Sequence, residues 1–347
     1  MLQTSSPAVS AYYGSIYGAL ASSLSGAGLT AVSLLLSLIA FAIVISVICV
    51  LFCFVFAWAE RKLLARSQSR RGPTYVGKYG LLQNVADFFK LISKESIIPD
   101  GADKPVFKAA LPVLSALFTV LLAFIPLNGT FVGIGSALGL LAIFVILSFL
   151  PMLLFLAGWS SGNKYASVSA HRALVVLAGY EVPLMLVVAA VAMLAGSFNM
   201  GTIVGMQQHV WFAFAMPIGF IVFIIVLLVE IERPPFDLRE ADNELIAGWL
   251  TDAPASYYAL SVTLDYTRLF VGALLVSELF LGGWNSIGAA PQFAVLIAKA
   301  VVVVLLVMLV RATTVRMKFS RVLRLGWLWL MPLAVVNLLV TFILFVR

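Results

Sequence analysis

Eight apolar stretches punctuate this 347-residue chain, at about 30–58, 107–127, 137–157, 173–196, 210–231, 257–280, 293–310 and 326–346. Each is near the ~20 residues that a helix needs to cross a hydrocarbon core of about 30 Å. None shows the two-residue alternation of a barrel strand, so the pattern predicts helices. A different period appears in the first connection, within GLLQNVADFFKLISKE. There Leu81, Leu82, Val85, Phe88, Phe89 and Ile92 recur at helical spacing, and Gln83, Asp87, Lys90 and Lys94 take the other positions. This predicts an amphipathic helix lying in the membrane interface. No internal repeat or low-complexity linker divides the chain. The prediction is an all-α integral membrane protein: one polytopic domain over 1–347, with about eight transmembrane helices and one interfacial helix.

Composition supports lipid as the solvent. Apolar residues make up 63% of the chain and charged residues 11%, with a mean hydropathy of +1.09. Soluble domains average about 45–50% and about 25%. In lipid every backbone polar group needs an internal partner, which leaves helices or closed barrels.

The placement of charge adds topology. Ten Lys and Arg fall between the first two spans, from Arg61 to Lys108. Lys164 and Arg172 follow the third span. Arg233, Arg239 and Arg268 follow the fifth, and Arg311, Arg316, Lys318, Arg321 and Arg324 follow the seventh. Only Lys299 and Arg347 lie elsewhere, and the connections around 128–136, 197–209 and 281–292 carry none. Cytoplasmic loops retain Lys and Arg. The expected loops on that side are therefore about 59–106, 158–172, 232–256 and 311–325, with both termini outside, in a multi-pass cell-membrane protein. The net charge of +7 follows this topology and does not call for nucleic acid. The N-terminal stretch is polar and lacks the basic start of a cleaved signal peptide.

Chemistry is expected where polar groups meet the membrane. Six of the 15 acids crowd into EIERPPFDLREADNE: Glu230, Glu232, Asp237, Glu240, Asp242 and Glu244. Pro234 and Pro235 stop the preceding helix. Leu238, Leu245, Ile246, Trp249 and Leu250 interleave the acids, which predicts a loop folded back onto the membrane rather than a solvated acidic run. Clustered, partly buried carboxylates raise one another's proton affinity and can pass protons. Glu181 stands inside the fourth span, Glu60 at the end of the first and Asp265 near the start of the sixth. Gly72, Pro73, Gly77 and Gly80 predict a tightly turned first loop. Cys49 and Cys53 stack on one helix face and read as packing residues, and His171 and His209 are isolated. No metal set, phosphate-cradling loop or dinucleotide fingerprint occurs, so no redox centre is expected in this chain.

Three long segments resemble one family. AERKLLARSQSRRGPTYVGKYGLLQNVADFFKLISKE, GWSSGNKYASVSAHRALVVLAGYEVPL and EIERPPFDLREADNELIAGW are similar, in order, to the three cytoplasmic loops of the quinone-site membrane subunits of respiratory complex I. That family is the H subunit of NADH-quinone oxidoreductase in bacteria and its counterpart in mitochondria. The resemblance implies a membrane-arm subunit of a proton-pumping dehydrogenase, without a complete active site of its own. Its partners would be peripheral-arm iron–sulfur and quinone-site subunits, small and antiporter-like membrane subunits, and lipids. The substrate would be a quinone (ubiquinone, menaquinone or a phenazine), with iron–sulfur clusters only in the partners.

By motif match, the tunnel for the quinone would draw on Arg61, Arg66, Arg71, Lys164, Arg172, Arg233 and Asp237. The proton-coupling path would draw on Glu181, Glu230, Glu232, Glu240, Asp242 and Glu244. Three departures stand out. Glu232 replaces a frequent Asn, Asp242 replaces a common Glu, and TDAPASYY follows the acidic loop. They hint at a divergent branch, such as archaeal relatives that oxidise the deazaflavin coenzyme F₄₂₀ and reduce methanophenazine. The equivalent subunit of a membrane-bound hydrogenase is the other related reading. A stand-alone transporter would show two matching halves, which this chain lacks.

Overall fold

A computed structural model describes residues 27–129, 132–238, 242–285 and 291–345. Among them the regular structure is helical, with no strand. The helices are α1 (Ala27–Ser67), α2 (Gln83–Ile92), α3 (Lys104–Phe124), α4 (Gly139–Trp159), α5 (Lys164–Ala195), α6 (Met200–Met206), α7 (Phe212–Ala215) and α8 (Pro217–Glu230). They continue with α9 (Asp242–Leu245), α10 (Ala255–Phe280), α11 (Gln292–Thr313), α12 (Phe319–Arg324) and α13 (Met331–Phe345). A π-helical turn, Leu325–Leu330, joins the last two.

Seven of these stretches are long and apolar enough to cross a membrane among the described residues. The fifth expected span, 210–231, is interrupted rather than continuous. There Pro217 lacks a donor and forces Met216 to φ −135°, ψ 69°, so the apolar stretch divides into the four residues of α7 and the 14 of α8. At 1.5 Å per residue α8 is only ~21 Å long. The backbone groups freed by this interruption find side-chain partners, as a lipid setting demands. Gln207, fully buried, accepts from the Phe212 and Gly282 amides through Oε1. From the far side of the bundle, Asn337 Oδ1 accepts from the Gly219 amide at the start of α8.

Two further boundaries differ from the apolar pattern. α1 runs past residue 58 to Ser67, because its polar last turns remain good helix formers. The segment 158–172, read as a loop, holds the first turns of α5. Asn163 caps that helix by accepting from the Tyr165 amide at 2.8 Å, so Lys164 and Arg172 are helical residues. Beyond α8 the chain folds back as expected: Leu238, Leu245 and Trp249 are buried, although Ile246 is exposed.

α10 is the central helix. Its most apolar window is 78% buried, against 22–50% for the other six crossing helices. Those keep apolar faces outward, as on α1, where Ile39, Ile43, Val47, Leu51 and Val55 form an exposed stripe. In water such a stripe would be a liability, and in a bilayer it is the wetted surface. Lys299, the cation inside α11, also finds its reason here. Its Nζ donates to the Leu281 and Gly283 carbonyls, both at 2.8 Å, and so satisfies the C-terminal end of α10.

Candidate functional site

The basic ends of α1, α10 and α11 converge on a chamber. Its floor comes from α1 through Cys53, Phe54, Ala57 and Arg61, and its lid from α2 through Asn84, Asp87, Phe88 and Leu91. α10 supplies Tyr258, Ala259, Val262, Asp265 and Tyr266, and Arg233 and Arg311 complete the wall. The cavity holds about 250 Å³, near the lower end of the ~300–1,000 Å³ of small-molecule sites.

The sequence brings α2 there by pairing its two faces with α1. Asn84 is buried and donates to the Phe54 carbonyl at 2.9 Å, and Phe88 packs edge-on against Phe54 at 5.7 Å. The polar face is engaged as well: Arg61 donates to Asp87 at 2.6 Å, and Gln83 donates to the same carboxylate. Partial burial works to raise the Asp87 carboxyl, but the bonds from Arg61 and Gln83 outweigh it and hold the group below its ordinary value.

Arg61 also lines a second, open groove of about 570 Å³ with Arg70, Arg71 and Tyr75. It therefore stands at the junction of chamber and groove. The turn beneath this groove depends on Gly80 at φ +74°, where a Cβ would come within 2.3 Å of the Pro73 carbonyl oxygen.

Behind the chamber sits a buried charge hub. Glu60, 2% exposed, accepts through Oε1 from Arg233 at 3.0 Å and from Arg311. Arg233 also stacks over the Tyr266 ring at 4.7 Å. Deeper in the bundle, Arg268 is 6% exposed and donates to Glu232 at 3.4 Å. Glu232 has φ +55°, which turns the chain sharply after α8 and directs its carboxylate inward. Glu230 lies within electrostatic reach of Arg268, Glu232 and Glu181.

Of the expected proton-coupling set, the structure thus brings together Glu181, Glu230 and Glu232. Glu244 is separate. It is exposed and bound to Arg172 at 2.6 Å, with Arg316 at 3.8 Å, and these partners hold its carboxyl below the ordinary range. Glu240 lies outside the described residues, and Asp242 opens α9. Of the expected tunnel residues, Arg61 and Arg233 line the chamber and Arg71 the adjoining groove. Arg66 lines a different surface depression with Trp58 and Tyr79. Lys164 and Arg172 belong to the first turns of α5 and do not line the chamber, and neither does Asp237.

Motif matching left out Glu60, Asp87, Asp265, Arg268 and Arg311, although Glu60 and Asp265 were visible as acids at span ends. Glu278 carried the same intramembrane signal as Glu181, an acid inside a predicted span, but it lies outside the three segments that resemble the family. Cys49 and Cys53 are buried free thiols, and Cys53 does more than pack, contacting Thr267 and the Thr263 carbonyl beside the chamber. His171 stays local, its Nδ1 2.7 Å from the Ser167 carbonyl. Among the described residues no group of three His, Cys, Asp or Glu could hold a metal ion.

Comparison with known proteins supplies a family. A family model described as NADH dehydrogenase matches residues 39–342. The chain is 39% identical to the NADH-quinone oxidoreductase H subunit of Bacillus cytotoxicus over 290 residues, which cover 82% of this chain and 86% of the relative. It is 38% identical to the subunits of the same name from Bacillus thuringiensis and Bacillus cereus over 287 residues, with the same coverage of both chains.

Proposed function

This chain belongs to the H-subunit family of NADH-quinone oxidoreductases, and on that premise we propose that it walls the chamber through which a quinone reaches its electron donor. It is a multi-pass membrane subunit of an oxidoreductase complex. The observation that carries the proposal is the chamber between α1, α2 and α10, apolar through Phe54, Phe88, Leu91 and Val262 and charged at Arg61, Asp87, Arg233 and Arg311.

A hydrophobic carrier needs such a graded surface. The apolar wall accepts the ring and the first part of a tail, while the guanidinium groups face the carbonyl oxygens on which electrons arrive. The volume suits a head group rather than a whole long-tailed molecule. Electrons would come from iron–sulfur clusters held by peripheral subunits docked on the basic end. The basic loops would face the cytoplasm and both termini the outside, by the positive-inside rule. Small and antiporter-like membrane subunits would adjoin the lateral faces.

Quinone reduction consumes protons and changes the charge next to Asp87, Asp265 and the Glu60 hub. In a low-dielectric interior that change is felt at distance. Glu232 and Glu230 beside Arg268, with Glu181 within electrostatic reach of Glu230, are placed to respond, which makes them the first step of a proton path away from the chamber. The Bacillus relatives favour this reading over a hydrogenase or phenazine-linked complex, because their names specify a quinone oxidoreductase.

Filling the chamber tests the proposal. Ala259→Trp places an indole against the chamber wall. In the assembled complex, electron transfer from the natural donor to a soluble artificial acceptor should persist while quinone reduction is lost. Full quinone reduction by the variant would overturn the assignment.

A further inference from the structure

Far from the chamber, near the other end of α10, lies an acid that the coupling path does not use. Glu278 is completely buried, and neither of its carboxyl oxygens has a hydrogen-bond partner. Among the described residues it is the acid in which both oxygens are so placed. Thirteen residues separate it from Asp265 at the chamber, ~20 Å along the helix axis. Helical spacing aligns Glu278 with Thr267, eleven residues earlier, on the face that meets Cys53 of α1.

The charges around it are few. α1, α2, α3, α6, α7, α8 and α11 pack against α10 along its length. Apart from the charged residues of α2 and of the basic ends of α1, α3, α8 and α11, those helices bring the thiols of Cys49 and Cys53 and one cation, Lys299; His209, after α6, is exposed. Lys299 is turned to the Leu281 and Gly283 carbonyls and to the Trp211 ring, 5.3 Å away. Gln207 binds the Glu278 main-chain carbonyl at 2.7 Å and leaves the side chain alone. An ionised carboxylate without donors in such a place is far more costly than a neutral acid.

We propose that Glu278 is a second proton-holding site, in the half of the bundle away from the basic loops, and that it takes up and releases a proton during turnover. Uptake converts the carboxylate to a carboxylic acid. Release restores one negative charge, and the compensating cation within the same layer is Lys299, which would exchange a carbonyl for the carboxylate. The site is distinct from the Glu181–Glu230–Glu232 group at the opposite end. Its use in turnover rests on the proposed coupling of quinone reduction to proton movement.

Redox-induced infrared difference spectra of the assembled complex test this, because they report changes at a carboxyl whether or not protons cross the membrane. The wild-type spectrum should contain a deuterium-sensitive carboxylic C=O feature that Glu278→Gln removes, and in vesicles the variant should move fewer protons per electron. Identical difference spectra for the two proteins would overturn the proposal even where the wild type pumps. A wild-type complex that moves no protons would overturn the coupling reading instead, and the spectra would still decide whether Glu278 changes protonation. Should the Gln variant fail to assemble, Glu278→Asp keeps the acid but displaces it, so the same feature must shift. An unmoved feature would contradict the assignment.

Discussion

Glu60 shows what a single buried residue holds together. Its Oε1 joins α1 to Arg233 after α8 and to Arg311 at the end of α11. Removing the carboxylate leaves two guanidinium groups facing each other in a largely dry site. Breaking a buried pair this way costs about 3 kcal/mol or more. Glu60→Gln should therefore lower the thermal midpoint of the complex, measured by loss of quinone reductase activity after heating. A midpoint equal to the wild type would show that the two arginines find other partners. Glu244 is the exposed counterpart. Arg172 binds it and holds its carboxyl below the ordinary value, so the tether's stabilisation is fully present above the ordinary carboxylate value and is lost only as pH falls on through the lowered native one. A spin label on Ile246→Cys reads the tether directly, since both native cysteines are buried. Label mobility should rise only at a pH below the ordinary Glu value of ~4.3, and Glu244→Gln should be mobile already at neutral pH. Mobility independent of pH would mean that the loop is held by its apolar residues alone.

At the scale of elements, the apolar pattern placed the long helices well because lipid enforces it: a backbone in hydrocarbon has few alternatives to a helix. What the pattern hid was the interruption at Met216. Proline reads the same way in sequence whether it kinks a span or ends one, and only its buried partners settle the difference. Asn337 supplies such a partner to Gly219 across 118 residues of sequence, and Gln207 ties Phe212 to Gly282, 75 residues away, separations that periodicity cannot see. Asn337→Leu removes the acceptor for the Gly219 amide and leaves a buried donor unsatisfied, at a cost of about 1–3 kcal/mol. The expected result is a lower thermal midpoint with unchanged apparent affinity for quinone. A change in quinone affinity without a loss of stability would place Asn337 in the site instead. The amphipathic helix α2 was likewise legible in existence but not in orientation. Asp87, on its polar face, meets Arg61 because α2 folds back along the last turns of α1.

For the whole molecule, the long sequence motifs and the chamber pick out overlapping but different residues at one end of the bundle. Motif matching selects positions by type, whereas the chamber selects them by convergence of α1, α2, α10 and α11. Arg61 and Arg233 met both criteria. Lys164 and Arg172 met only the first, and Arg311 only the second. The central claim is that a charge change in this chamber drives protonation changes through Glu232, Glu230 and Glu181. Protons moved per electron, measured for the Glu181→Gln complex in sealed vesicles, test that claim most directly. The account predicts that quinone reduction continues while the proton yield falls; an undiminished proton yield would contradict it.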